Sequence, residues 1–174
     1  EVLADRVKSR RPRRGGGCSC SFPADAALVV AMGDWQVGKG ENGNLEQQMQ
    51  VLYDMVGLVE DEWRNLKKTG VPLTTIYPCF GGDLFESCSG HYAQQAFRTT
   101  LNMRDQRKVI RWAADNALDR WSKLAPLGVK VVGGNHGEVR EGGKSHTSFS
   151  DNNDVAVIED IAYAYSKNPD RYGG

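Results

Sequence analysis

Three short polar segments of the sequence contain the residue types that bind divalent metal ions and transfer protons. Each segment begins with a glycine, and the three are Gly33-Asp34-Trp35-Gln36, Gly82-Asp83-Leu84-Phe85-Glu86 and Gly134-Asn135-His136-Gly137-Glu138. Carboxylate and amide oxygens suit hard or borderline divalent ions, and histidine exchanges protons near neutral pH. The glycines allow the backbone to turn sharply and to approach a ligand closely. The order and spacing of these residues therefore predict a single site for metal-dependent chemistry.

Apolar runs precede all three polar segments and predict three short strands. The runs are Leu28–Met32, Leu73–Phe80 and Val129–Val132. They are short, rich in β-branched or aromatic residues, and end at glycines, as is typical of buried strands. Ligands of parallel α/β sheets bind beyond the carboxyl ends of the strands. The three polar segments are therefore expected to converge in one crevice.

Helical periodicity predicts three helices between and after these strands. Apolar residues recur in steps of three and four over residues 45–66, with Asn44 as the N-cap and Gly70 as the stop. The second helix is predicted from about 91 to 124 and the third from 154 to about 166. The alternation of strands and helices predicts an α/β fold in which a parallel sheet has helices on both faces.

The charge of the chain is unevenly distributed. Residues 1–14 contain six basic and two acidic residues, although the whole 174-residue chain has a formal net charge of zero. A basic run followed by three glycines predicts a flexible linker over residues 1–24 and a folded domain over 25–174. Such an arm attracts polyanions, but no aromatic residue interrupts its basic run to stack on bases. The sequence contains neither a membrane-length apolar stretch nor a signal peptide, which predicts a cytoplasmic location and no membrane partner.

The polar segments resemble the motifs of the calcineurin-like metallophosphoesterases, and are most similar to the phage-type branch over about residues 28–140. That family typically shows Asp-x-His, then Gly-Asp-x-x-Asp or Glu, then Gly-Asn-His-Asp or Glu, followed by two later histidine motifs. In this chain Gln36 stands at the usual histidine position and Glu138 is displaced by one residue. The late histidines have no counterpart. The resemblance therefore implies part of the metallophosphoesterase α/β sandwich, with its C-terminal part missing.

The resemblance implies two divalent ions, Mn²⁺ or Mg²⁺, and hydrolysis of phosphoesters, with phosphodiesters of nucleic acid or nucleotides as the expected substrates. The implied metal ligands are Asp34, Gln36, Asp83 and Asn135. His136 is expected to contact the phosphate and protonate the leaving oxygen, with Glu86 or Glu138 orienting it. His91 and His146 are interpreted as surface or helix-end residues. Without them the site lacks three imidazoles, which predicts an incomplete catalyst.

Two other functions remain open. Residues 33–39 fit the G-x-x-x-x-G-K pattern of a P-loop, but Gly40 has no hydroxyl for Mg²⁺ and no helix is predicted to start at Lys39. The second alternative is a noncatalytic nucleic-acid-binding or scaffold module whose metallophosphoesterase site has decayed. Divalent-metal binding separates this alternative from the enzyme, because a scaffold should bind no metal.

Overall fold

The computed structural model describes residues 25–88, 90–141, 144–145, 148 and 151–168. The predicted basic linker over residues 1–24 and His146 lie outside this range. The strands are β1 (Ala26–Met32), β2 (Leu73–Phe80), β3 (Lys130–Val131), β4 (Arg140–Glu141) and β5 (Lys144–Ser145). The helices are α1 (Leu45–Lys68), α2 (Gln95–Arg98), α3 (Met103–Ser122) and α4 (Asn153–Lys167).

The three predicted strands form one parallel sheet in the order β1-β2-β3. The pairing of β1 with β2 continues to Met32 opposite Phe80, and Phe80 in turn lies opposite Val131. All three strands therefore end at the same edge of the sheet. This confirms the α/β class and places the three polar segments side by side.

The helices α1, α3 and α4 form one layer, with α1 packed on α3 and α3 on α4. Helices were predicted on both faces of the sheet, and for the described residues this is wrong. Right-handed crossovers between strands that are neighbours in sequence order place their helices on the same face. The other face remains open in the described ranges, so Val29 is 62% exposed while Ile76, on the helical face, is fully buried.

Helix α1 begins as its sequence predicts. The Asn44 side chain accepts a hydrogen bond from the Gln47 N–H (2.9 Å), and the Gln47 side chain accepts one from the Asn44 N–H (2.9 Å), which completes a capping box. The helix ends at Lys68, and Gly70 follows with a φ of 87°. Lys39 is followed only by a three-residue 3-10 helix (Gly40–Asn42), and α1 starts six residues after Lys39, so no α-helix begins where a P-loop requires one.

The predicted helix over residues 91–124 is interrupted. Only α2 and α3 are helical, and Thr99 and Thr100 between them are not. Thr99 pairs with Lys39, and Thr100 donates to the Gly38 carbonyl through its N–H (2.7 Å) and its hydroxyl (3.0 Å). Contacts with the loop after β1 thus override the helical periodicity here, and they leave His91 in a loop.

None of the helices in the described ranges is both long enough and apolar enough to cross a bilayer.

The one-sided sheet predicts unequal losses of stability when a β-branched apolar residue is replaced by threonine on its two faces. Ile76→Thr should lower the free energy of unfolding by at least about 2 kcal/mol, because it removes buried apolar volume and buries a hydroxyl. Val29→Thr keeps a β-branched side chain on the open face and should change the free energy of unfolding by no more than about 0.5 kcal/mol. Urea unfolding followed by circular dichroism measures both values. Equal costs would show that the open face is covered.

Candidate active site

The loops after β1 and β2 run side by side beyond the ends of their strands. The Asp34 N–H donates to the Gly82 carbonyl (3.2 Å), and the Gln36 N–H donates to the Asp83 carbonyl (2.9 Å). Parallel pairing therefore continues into the two polar segments. The predicted convergence of these segments is confirmed for their backbones.

Three of the predicted ligand residues have a left-handed backbone. The φ angles are 53° at Asp34, 40° at Gln36 and 51° at Asp83. Residues other than glycine are uncommon in this region, and they occur preferentially where the surrounding structure holds a functional site. The hydrogen bonds between the two loops provide that support here.

The segments after β2 and β3 touch through their glycines. A Cβ atom at Gly134 would overlap the Asp83 carboxylate and N–H, and one at Gly82 would overlap the Gly134 N–H. Gly82 also has a φ of 84°. The close backbone approach expected of these glycines is therefore present, and it brings Asp83 against the third segment.

Asp83, Asn135 and His136 form the centre of the site. The His136 N–H donates to Asp83 Oδ1 (2.8 Å). The Asn135 amide nitrogen donates to Asp83 Oδ1 (3.2 Å) and Oδ2 (2.9 Å), and its oxygen accepts from His91 Nε2 (2.7 Å). If this amide turned, its oxygen would face the carboxylate, and carboxylate and amide oxygens suit Mn²⁺ or Mg²⁺.

Glu86 holds the His136 ring. Its side chain is fully buried, its Oε2 lies 3.4 Å from His136 Nδ1, and its backbone carbonyl lies 2.9 Å from the same nitrogen. A carbonyl oxygen can only accept a hydrogen bond, so Nδ1 carries a proton and Nε2 is the nitrogen left for a substrate. Glu86 Oε1 accepts from the Tyr92 hydroxyl (2.5 Å), and this bond raises the pKa of Tyr92 to about 12.

Glu138, the other acid expected to orient His136, has a different partner. Its Oε2 lies 2.5 Å from Arg140 Nη2, and its backbone pairs with Asn152. Of the two candidate acids, the structure therefore places Glu86 against His136.

His91 also belongs to this site, contrary to its interpretation as a surface or helix-end residue. Its Nε2 lies 2.7 Å from the Asn135 amide, and its ring centroid lies 4.7 Å from that of His136. Burial lowers the pKa of His91, and the nearby cationic groups of His136 and Arg140 lower it further. The sequence did contain one indication of this position. His91 follows Glu86 by only five residues, so the intervening chain is too short to take His91 far from the end of β2.

Asp154 was predicted only as the start of the last helix, yet it ties two loops together. Its Oδ2 accepts from the N–H groups of Asp83 (2.9 Å) and Gly134 (3.0 Å). Its Oδ1 accepts from those of Leu84 (3.0 Å) and Phe85 (3.3 Å). Burial raises the pKa of Asp154, while these four donors oppose the shift. An acidic residue in a first helical turn is common, so its sequence position alone did not indicate this role.

Asp34 and Gln36 lie at the edge of this centre. Asp34 is exposed, and Gln36 Oε1 accepts a hydrogen bond from Lys39 Nζ (2.8 Å). Within the described ranges, no group of three or more histidine, cysteine, aspartate or glutamate side chains is placed to hold a metal ion. The structure thus brings the backbones of the four predicted ligands together, but only Asp83 and Asn135 are joined through their side chains.

A groove of about 500 Å³ lies next to Asp34, between the end of β1 and the start of α1. Trp35, Val51 and Met55 form part of its largely apolar lining. The Trp35 ring is held edge to face against Phe80, with 5.9 Å between centroids. The groove therefore offers a flat apolar surface beside the polar centre.

The role of Asp154 predicts that Asp154→Asn lowers the free energy of unfolding by at least about 2 kcal/mol. The amide nitrogen would face backbone N–H groups and leave buried donors without an acceptor. Asp160→Asn is the matched control, because it removes the same charge from an exposed position of α4. Urea unfolding measures both variants, and similar small effects would show that the four hydrogen bonds do not hold the loops.

Comparison with known proteins assigns no family to this arrangement. No protein-family model, curated protein or solved structure matches the chain. The contacts of the site are therefore the basis for any assignment of function.

Proposed function

We propose that this chain is a metal-dependent phosphoesterase that hydrolyses phosphodiesters of nucleic acid or nucleotides. The observation that carries the proposal is the setting of His136. Its backbone is fixed to Asp83, and its Nδ1 is held by the buried Glu86, so that Nε2 is left for a substrate. A proton donor directly beside a carboxylate and amide pair suits the cleavage of a phosphate ester.

The proposed metal ligands are Asp34, Gln36, Asp83 and Asn135. In its favoured orientation the Asn135 nitrogen donates to the Asp83 carboxylate, so the amide would have to turn for its oxygen to bind an ion together with Asp83. Gln36 Oε1 accepts a hydrogen bond from Lys39 Nζ and would have to lose it in order to bind an ion. When bound, two such ions activate a water molecule and neutralise charge on the phosphate.

The side chains around the ions have separate tasks in this proposal. His136 donates a proton from Nε2 to the departing oxygen. Glu86 compensates the positive charge that the ring carries before this transfer, and its hydrogen bond from Tyr92 fixes the carboxylate in place. In this proposal His136 is therefore the acid, and Glu86 orients the His136 ring.

The groove beside Asp34 favours nucleotide-derived substrates among phosphoesters. Aromatic side chains stack on bases of any sequence, and Trp35 is held in place by Phe80. A base in the groove would lie next to the loop that carries Asp34 and Gln36. Such binding would put the organic part of the substrate beside the proposed metal centre.

The alternative is a noncatalytic nucleic-acid-binding or scaffold module with a decayed site. The observation in its favour is that no group of three His, Cys, Asp or Glu side chains is placed to hold a metal within the described ranges. Measured metal binding and turnover decide between the two functions.

The proposed function predicts that hydrolysis of bis(p-nitrophenyl) phosphate requires added Mn²⁺ or Mg²⁺. Carboxylate and amide donors hold these ions weakly, so EDTA should abolish turnover and excess Mn²⁺ should restore it. Asp83→Asn should weaken Mn²⁺ binding by more than about tenfold in calorimetry. The control Asp61→Asn, on the exposed side of α1, should leave binding unchanged. Full turnover after EDTA treatment contradicts the proposal.

The acid role predicts that His136→Ala lowers kcat by about 10²- to 10⁴-fold while Mn²⁺ affinity stays nearly constant. Glu86→Gln should also lower kcat, because it removes the charge beside Nδ1. Glu138→Gln is the matched control, since Glu138 pairs with Arg140, and should have the smaller effect. Steady-state kinetics and calorimetry on the same samples test this. A loss of metal affinity in His136→Ala would make His136 a ligand.

A further inference from the structure

The first half of α3 carries a basic stripe, which consists of Arg104, Arg107, Lys108 and Arg111. These residues follow one another in steps of three, one and three, so they lie on one side of the helix. All four residues are exposed, and Asp105 is the only acidic residue between them in the sequence. The whole chain has a formal net charge of zero, so the stripe is a local excess of positive charge.

The basic stripe is unfavourable for α3 itself, because it contains four pairs of like charges three or four residues apart, which repel each other on a helix surface. Arg104 also lies in the first turn of α3, where the helix dipole disfavours a positive charge. Lys108 Nζ donates to Asp105 Oδ1 (2.8 Å). The side chains of Arg104 and Arg111 form neither a hydrogen bond nor an ion pair with the described residues. A negatively charged partner therefore accounts for the stripe better than the stability of the helix does.

Trp112 lies directly after the basic stripe and on the same side of the helix, four residues after Lys108. It is 39% exposed, and it lines a cavity of about 200 Å³ together with Arg111. Single-stranded nucleic acid is bound by this combination of groups, because aromatic rings stack on the nucleobases while basic side chains contact the phosphates. The nucleobases of a duplex are already stacked on one another, so the exposed ring favours a single strand.

Two hydrogen bonds connect the basic stripe to the candidate active site. Arg107 Nη2 donates to Asn153 Oδ1 (3.1 Å), and Asn153 Nδ2 donates to the Gly137 carbonyl (3.0 Å). Gly137 directly follows His136, the proposed acid. A strand bound along the stripe would therefore pass close to the site.

We propose that the basic stripe and Trp112 form a binding surface for single-stranded nucleic acid. The four basic side chains contact phosphates, and Trp112 stacks on a nucleobase. As a route for the substrate, this surface rests on the proposed function. The binding itself does not require catalysis, so the two proposals can be tested separately.

The test is the binding of a fluorescein-labelled oligothymidylate of about twenty nucleotides, measured by fluorescence anisotropy in EDTA at several KCl concentrations. For single strands, the logarithm of the binding constant falls by about 0.7 per phosphate contact for each unit of the logarithm of salt concentration. The triple variant Arg104→Gln, Lys108→Gln and Arg111→Gln should therefore reduce this slope by about 2. It should weaken binding at low salt by at least about tenfold.

The matched control is the triple variant Arg64→Gln, Lys68→Gln and Lys123→Gln, which removes the same charge from exposed positions outside the basic stripe. It should keep the salt slope and change the affinity by less than about twofold. The basic residues 1–14 are present in every variant, so differences between variants report on the substituted positions. Urea unfolding should show that the stripe variant is at least as stable as the unsubstituted chain, because its like-charge pairs are gone.

The stacking role of Trp112 has its own variant. Trp112→Leu should weaken binding at least about fivefold and leave the salt slope unchanged, because stacking on a nucleobase releases no counterions. Tyr163→Leu is its control, since Tyr163 is 65% exposed on α4 and lies outside the surface. This control should leave the affinity unchanged.

Equal effects of the two triple variants overturn the inference, as does a stripe variant that is less stable than the unsubstituted chain. Equal affinity for polyglutamate or for a duplex of the same length also overturns it, because the partner would then be any polyanion. These outcomes leave the proposed function standing. Strand binding that depends on the stripe, in a chain that does not hydrolyse bis(p-nitrophenyl) phosphate with Mn²⁺, supports the inference and overturns the proposed function.

Discussion

The carboxylate of Asp154 is the interaction on which the geometry of the site depends. It accepts hydrogen bonds from four backbone N–H groups that belong to the loops after β2 and β3. The side chain is buried, so its charge is met by oriented backbone dipoles, as at other anion sites built from N–H groups. Asp83 and Gly134 are held by the same oxygen. The distance between the segment of Asp83 and the segment of Asn135 is therefore set from α4, a helix with no predicted catalytic residue.

The N-terminus of α4 adds to this constraint. Asn152 caps the helix by accepting from the Asp154 N–H (2.9 Å), and its amide nitrogen donates to the Gly134 carbonyl (2.8 Å). The Asn153 N–H donates to the Gly137 carbonyl (2.7 Å). The third polar segment is thus bonded to the helix on both sides of His136. Strained φ angles at Asp34, Gln36 and Asp83 can persist because the neighbouring loops and α4 hold the backbone in place.

The sequence was sufficient to predict those features that depend on local pattern. The three strands, the capping box at Asn44 and the position of the polar segments after glycines all follow from periodicity and turn chemistry. The interruption of the helix at Thr99 could not be predicted, because it depends on pairing with Lys39, sixty residues earlier in the chain. The one-sided helical layer follows from the strand order, which the alternation of elements alone does not determine.

Some residues of the site could be predicted and others could not, again because some depend on local pattern and others on contacts between distant residues. Asp83, Asn135 and His136 follow strands directly, so their meeting depends only on parallel strands ending at one edge. The choice between Glu86 and Glu138 required knowledge of side-chain partners, because Glu138 is close to His136 in sequence, whereas Glu86, 50 residues away, reaches it only through the neighbouring strand end. Asp154 lies 71 residues from Asp83 and has the position of an ordinary first-turn acid.

The two histidines of the site, His91 and His136, have different surroundings and therefore different proposed roles. Burial is the main reason that the pKa of His91 is lowered, and the second is the His136 ring 4.7 Å away, because two positive charges at this distance repel each other. Only the His136 ring has a buried carboxylate at its Nδ1 to compensate a positive charge. Under the proposed function, the proton needed by the leaving oxygen therefore resides on His136.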